Sequence, residues 1–191
     1  MKLQDLYKKK TLVDYVVYAS VLIVGVLFDQ LTKWLTVKNM YLYEHIPVIK
    51  TAKIDIASFL YIENDGAAFG MLDGAPWVFN TVSAVAIIAM LAFLFLGHME
   101  SLLSGISLSM MISGGIGNMI DRTARGSVVD MIHLDIFNET RLFASINTVF
   151  NVADILVCVG ACLLVLALIL EMSEELKREK LKKSASQEDK E

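Results

Sequence analysis

Proline is scarce in this chain of 191 residues, and so are cysteine and histidine, with two, two and three copies. Pro47 and Pro76 fall outside every long apolar stretch, so none of those stretches is broken by a ring that removes a helix hydrogen bond. Cys158 and Cys162 lie four residues apart in one apolar run, where packing is a better reading than a disulfide or a thiol nucleophile. His45, His98 and His133 are scattered, with neither an HExxH pair nor a Cys/His cluster, so metal-dependent hydrolysis is not expected. No GxSxG elbow is present to support a serine hydrolase. Charge is short too: 20% of residues are charged against 55% hydrophobic, more apolar surface than a small soluble domain can bury. The chain belongs in a membrane, and its net charge of −4 does not suggest a nucleic-acid partner.

Four stretches are long enough to cross a hydrocarbon core, which takes about 20 mostly apolar residues in a helix. They run near 13–35, 78–97, 102–122 and 150–171, with outer loops at 36–77 and 123–149. Residues 1–171 therefore read as one membrane domain and 172–191 as a charged tail that forms a solvated, fraying helix. The first stretch follows Lys8, Lys9 and Lys10, but it is too long for a signal-peptide core and lacks a small-residue cleavage site, so it reads as a retained span. Lys2 and Lys8 to Lys10 before the first span, and Lys177, Arg178, Lys180, Lys182 and Lys183 after the last, put both termini on the cytoplasmic side. Trp34 and Trp77 stand at span ends, where an amphipathic ring favours the interface.

Against this apolar background a few ionisable residues stand out. A carboxylate at mid-bilayer costs about 2.5–3.5 kcal/mol and is seldom kept without a task. Asp154, in FNVAD (150–154), opens the fourth span, and Asp130 closes GSVVD (126–130) in the second outer loop. The four-span topology sets Asp29, Lys33, Asn118, Asp121, Arg122, Asn151 and Asp154 in one layer beneath the outer surface. At 1.5 Å per residue Asp154 lies about 6 Å, and Asp29 roughly 9 Å, inside its span. Asn151, Asp154, Cys158 and Cys162 share one helical face by spacing, as do Gly114, Asn118 and Asp121, with Arg122 beside them. Gly114, Gly115 and Gly117 allow close helix approach and predict that the third span packs centrally.

The outer loops carry strand signals. Ile54, Ile56, Leu60 and Ile62 keep a period of two interrupted by Ser58, and Ile132, Leu134 and Ile136 alternate with His133 and Asp135. Between the two segments ENDGAAFG (63–70) reads as a turn. Asn138-Glu139-Thr140 fits a glycosylation acceptor, which is uninformative by itself. The fold class is thus mainly α and integral to the membrane: a four-transmembrane-helix bundle with a small antiparallel β cradle on its outer face.

Carboxylate chemistry is what remains. Two neighbouring carboxyl groups do not readily both ionise, so one holds a proton while the charged partner draws a proton from water. That arrangement performs general-base attack on an amide carbonyl. Asp130 and Asp154 are candidates for such a pair by their common depth. Two other classes stay open: a phosphotransferase holding Mg²⁺ with Asp121, Asp130 and Asp135, and a proton relay or transporter through Asp29, Lys33 and Asp154.

Taken together, DQLTK (29–33), NDGAAF (64–69), GNMIDR (117–122), GSVVD and FNVAD resemble, in order and spacing, the lipoprotein signal peptidase (signal peptidase II) family. The resemblance runs from about Val13 to Leu170. It implies an aspartic endopeptidase of the bacterial inner membrane that cuts diacylglyceryl prolipoproteins on the amino side of the lipidated cysteine. By motif, Asp130 and Asp154 would be the catalytic dyad, Asn64 and Arg122 would hold the substrate backbone, and Gly66 would permit its close approach. Asn118, Asp121 and Asn151 would support the site, with Asp29 and Lys33 pinning the first span to it. Cyclic peptides would inhibit by occupying the dyad. Partners are then lipidated substrate and membrane lipid, with no nucleic acid, no metal and no cofactor, and a monomer is expected. The chain departs from the family pattern at Thr148, where proline is common, and at Ile155, where a small polar residue is common.

Overall fold

The computed structural model describes residues 10–51, 55–65, 76–96, 101–137 and 149–188. Helix α1 spans Leu12–Asn39, α2 Pro76–Leu96, α3 Leu102–Arg125 and α4 Val152–Glu188. All four are long and apolar enough to cross a membrane. Strands β1 (His45–Lys50) and β2 (Asp55–Asn64) follow α1, β3 (Val128–His133) and a short 3₁₀ turn (Asp135–Phe137) follow α3, and β4 (Val149–Phe150) leads into α4. The chain is a four-helix membrane bundle carrying a small antiparallel sheet, the fold class expected from the sequence.

Local chemistry sets the helix ends. Thr11 caps α1 through a reciprocal box: its hydroxyl accepts the Asp14 N–H, and the Asp14 carboxylate accepts the Thr11 N–H at 2.7 Å. Ser101 caps α3 by accepting the Ser104 N–H at 3.1 Å. Gly126 ends α3 at φ 88°, a left-handed conformation suited to glycine, and its N–H returns to the Arg122 carbonyl.

Helix α3 is the hub. Half of its apolar window is buried inside the protein, against 11–22% for the other three helices. It contacts α1, α2 and α4. One apolar cluster, Tyr18, Ile87, Leu94, Leu108 and Ile112, joins α1, α2 and α3. Glycines bring α3 closer still to two neighbours: a side chain at Gly114 would run into the Ala153 carbonyl of α4, and one at Gly117 into the Asp29 carboxylate of α1. At the other end of the bundle Ser101 and Ser104 both donate to Glu171 Oε1, at 2.6 and 2.5 Å, pinning α4 to the start of α3.

The sheet order is β1-β2-β3-β4 with every neighbour antiparallel. Pro47 sits in β1, an edge strand where its missing N–H is tolerated. Tyr61, Val129 and Met131 are buried on one face and pack on Val37 and Met40 around the C-terminal end of α1. The second strand differs in position from its sequence signal. Alternation points to 132–136, whereas β3 begins at Val128 and gives way to the 3₁₀ turn at Asp135. Pairing with β2 decides this, since Asn64, Glu63 and Ile62 align with Val128, Val129 and Asp130. Cys158 and Cys162 are exposed on α4, so the packing role read from the sequence does not hold.

The close α3–α4 seam leads to a stability prediction. Gly114→Ala forces the backbone of α4 outward and is expected to cost about 1–3 kcal/mol. Gly115→Ala meets only the flexible side chain of Ile87, at 3.2 Å, and is expected to be nearly neutral. Thermal unfolding of the two variants in detergent reads the difference.

Candidate active site

At the centre of the polar layer is a cation. Lys33, one turn after Asp29 on α1, is 1% exposed and faces two carboxylates, Asp29 Oδ2 at 2.9 Å and Asp121 Oδ2 at 3.1 Å. It also donates to Asn118 Oδ1 at 2.8 Å. Its three donors thus meet three acceptors from α1 and α3, the condition under which a buried charge is tolerated. Asp29 Oδ1 accepts the Ala153 N–H of α4 at 2.9 Å, and Asp121 Oδ2 accepts the Val129 N–H of β3 at 3.1 Å. One ion cluster therefore ties α1, α3, α4 and the sheet together.

Gln30, which lies inside DQLTK, has no role in the sequence reading. Its amide reaches Asp29, the Gly117 carbonyl and Asp121, at 3.1, 3.1 and 3.3 Å. The signal available for it was its place between Asp29 and Lys33 on a helix otherwise rich in apolar residues.

The second tier is built on Asn151. It sits just before α4, whose first residue is Val152, and acts as its N-cap: Asn151 Oδ1 accepts the Asp154 N–H at 3.0 Å. Asp154 Oδ2 in return accepts the Asn151 N–H at 3.1 Å, a capping box that places a carboxylate at the positive end of the helix. Because β4 occupies Val149–Phe150, Asp154 belongs to the first turn of α4. The Asn151 amide also donates to Asp130 Oδ1 at 2.6 Å and to Asn118 Oδ1 at 3.1 Å. Asn118 donates in turn to Asp154 Oδ1 at 2.8 Å. Asp130 and Asp154 are thus held through one shared residue, Asn151, which bonds Asp130 by its side chain and Asp154 by its backbone.

Asp130 is 2% exposed, and Asn64 at the end of β2 donates to its Oδ2 at 3.0 Å. Burial pushes the Asp130 carboxyl up to about 6, and the Asp154 charge adds to this; hydrogen bonds from Asn64 and Asn151 and the Lys33 charge act against it. Arg122 lies in the electrostatic neighbourhood of Asp154, Asp130 and Asp121, with its guanidinium 5.7 Å from the centre of the Phe79 ring. Its Nε is buried and has no hydrogen-bond partner among the described residues. Gly66 and Thr148 lie outside the described residues, as does the possible glycosylation acceptor. Ile155 is 39% exposed on the first turn of α4.

The two competing chemistries find poor support in this arrangement. Asp121 is occupied by Lys33, Gln30 and the Val129 N–H, while Asp135 stands beyond the end of β3 beside His45 and His133. The three carboxylates proposed for Mg²⁺ therefore do not converge. Asp29 and Lys33 are likewise bonded to each other and to fixed partners.

Comparison with known proteins identifies the family. Residues 21–170 match the family model described as signal peptidase (SPase) II. The chain belongs to the signal peptidase II family. It is 36% identical over 165 residues to the lipoprotein signal peptidase of Bacillus subtilis (strain 168), covering 85% of this chain and 99% of that protein. It is 38% identical over 158 residues to the lipoprotein signal peptidase of Bacillus pumilus (strain SAFR-032), covering 81% and 93%. Among solved structures it is similar to one described as a bacterial membrane enzyme at 2.3 Å resolution, with TM-score 0.73 and 27% identity over 88% of this chain and 95% of that one. A second, at 1.9 Å, gives TM-score 0.71 and 28% identity over 85% and 97%. As a member of the family the chain is a peptidase and a multi-pass bacterial membrane protein.

Removing the central cation tests the site's foundation. Lys33→Met leaves Asp29 and Asp121 buried without their counter-charge and is expected to cost about 3–5 kcal/mol. Adding Asp29→Asn to Lys33→Met is expected to recover part of that loss. Unfolding midpoints in detergent compare the two variants.

Proposed function

We propose that this chain removes the signal peptide from diacylglyceryl prolipoproteins, cutting on the amino side of the lipidated cysteine, with Asp130 and Asp154 activating the attacking water. The observation that carries the reading is the joint suspension of the two carboxylates from Asn151. Carboxyl groups held this close to a common residue, one in a buried strand and one at a helix N-terminus, suit a pair that shares a single proton.

In the proposed mechanism Asp130 is the partner that keeps the proton, because burial raises its affinity for it. Asp154, at the helix N-terminus and accepting two N–H bonds, is the charged partner that takes a proton from water. Water attacks the scissile carbonyl while Asp130 donates a hydrogen bond to the developing oxyanion. The proton collected by Asp154 then goes to the leaving amine. Arg122, with an uncommitted buried donor, and Asn64, at the mouth of β2, hold the substrate backbone.

Topology favours the same substrate. With both termini in the cytoplasm, the sheet and the carboxylate pair lie at the outer leaflet, where acyl chains stay in lipid while the peptide bond reaches the polar layer. Binding energy from the lipid then positions that bond. Cyclic peptides that occupy the carboxylate pair would compete with the substrate, and the protein would act as a monomer.

Cleavage of a diacylglyceryl prolipopeptide by purified protein in detergent tests the assignment. Asp130→Asn and Asp154→Asn are each expected to lower kcat by about 10²–10⁴ or more, and wild-type turnover in either variant overturns the pair. Arg122→Ala is expected to weaken binding of substrate or cyclic peptide with the fold intact, as measured by KM and inhibitor affinity. The pH dependence has a definite sign. Asp130 must carry the proton, so kcat/KM is expected to fall as pH rises through about 6, the value set by burial in the free enzyme.

A further inference from the structure

The sheet carries a second cluster of reactive side chains, away from the carboxylate pair. His45 opens β1, His133 closes β3, and Asp135 begins the 3₁₀ turn. Asp130 and His133 are three residues apart on β3, about 10 Å along the strand, and alternation puts them on opposite faces. Asp135 Oδ1 lies 3.2 Å from His45 Nε2 and 2.9 Å from His133 Nδ1. The candidate ligand atoms of the three residues all lie within 4.8 Å of one another.

We propose that His45, His133 and Asp135 bind a divalent transition metal of the zinc class, clipping the edge strand β1 to β3 and the 3₁₀ turn. A tetrahedral zinc ion with bonds of about 2.0–2.2 Å holds its ligand atoms roughly 3.3 Å apart, and both nitrogen–oxygen separations are already near that value. Two imidazoles and one carboxylate are a donor set that favours zinc and its late first-row neighbours over Mg²⁺ or Ca²⁺.

Burial supports the site as well. The side chains of His133 and Asp135 are 5% and 13% exposed, while that of His45, at 40%, leaves an approach from solvent. Asp135 Oδ2 is buried and has no hydrogen-bond partner among the described residues. A buried carboxylate oxygen without a donor is costly, and an ion bound by both carboxylate oxygens would satisfy it. Ser58, buried on β2, places its hydroxyl 3.3 Å from His133 Nδ1, the nitrogen that would bind the ion, so that hydroxyl turns away when the ion enters. The arrangement needs β1, β2 and β3 in register, because His45 and His133 are 88 positions apart in sequence and meet only through the strand between them.

The test uses tag-free full-length protein in detergent, stripped with a chelator and titrated with Zn²⁺ by calorimetry. One equivalent is expected to bind and to raise the unfolding temperature of the wild type. His45→Ala changes a half-exposed side chain, and Asp135→Asn keeps the shape of the other ligand. Each is expected to weaken binding at least about tenfold and to abolish the thermal shift, whereas His98→Ala binds like wild type. Cobalt in place of zinc is expected to give the intense visible absorption of a four-coordinate site. Failure of the stripped wild type to take up zinc, or wild-type affinity in His45→Ala, overturns the proposal and leaves the three side chains as a hydrogen-bonded group only.

Discussion

A lysine ammonium buried inside a membrane bundle is the constraint around which this molecule is arranged. Lys33 has no access to water, so its charge must be met by Asp29, Asp121 and Asn118, and those groups come from two different helices. Their remaining acceptor positions are then filled from α4 and β3. The α1–α3–α4 approach, and the attachment of the sheet to it, follow from satisfying one charge. In hydrocarbon the alternative to such satisfaction is several kcal/mol of uncompensated desolvation.

Small residues make that satisfaction geometrically possible. Gly117 lets α3 pass against Asp29, and Gly114 lets it pass against the carbonyl of Ala153, the residue whose N–H Asp29 accepts. Asn118, one residue beyond Gly117, links the ion cluster below to the pair of carboxylates above, since it accepts from Lys33 and donates to Asp154. The structural cluster and the proposed catalytic pair are consecutive parts of one hydrogen-bond network. Change in either is felt by the other, so stability and turnover are expected to be coupled here more tightly than in a site built on a loop.

Much of the architecture was legible in the sequence. The four spans, the central place of the glycine-bearing third helix and the presence of strands between the spans all follow from apolar length, residue size and period two. The strand positions were less so: β3 was expected near 132–136 and runs from Val128, because its register is imposed by β2 rather than by its own alternation. The cysteines were placed by helical spacing on the face of Asn151 and Asp154, yet they are exposed, because the face that α4 turns to α3 carries Ala153, Val157 and Gly160. The His45–His133–Asp135 group left no local pattern to read.

By itself the sequence determined the membrane class, the family resemblance and which residue types were available for chemistry, since apolar run length and motif order are properties of the linear chain. Tertiary structure alone decided which of those residues meet. Asn151 becomes the common partner of Asp130 and Asp154 because two residues of β4 pair with β3 and deliver the start of α4 beside that strand. His45 reaches His133 and Asp135 only through the intervening β2. Hydrogen bonds and ion pairs act over about 3 Å, and those that join Asn151 to Asp130 and His45 to Asp135 link residues 21 and 90 positions apart, a distance that helix and strand periodicity do not span.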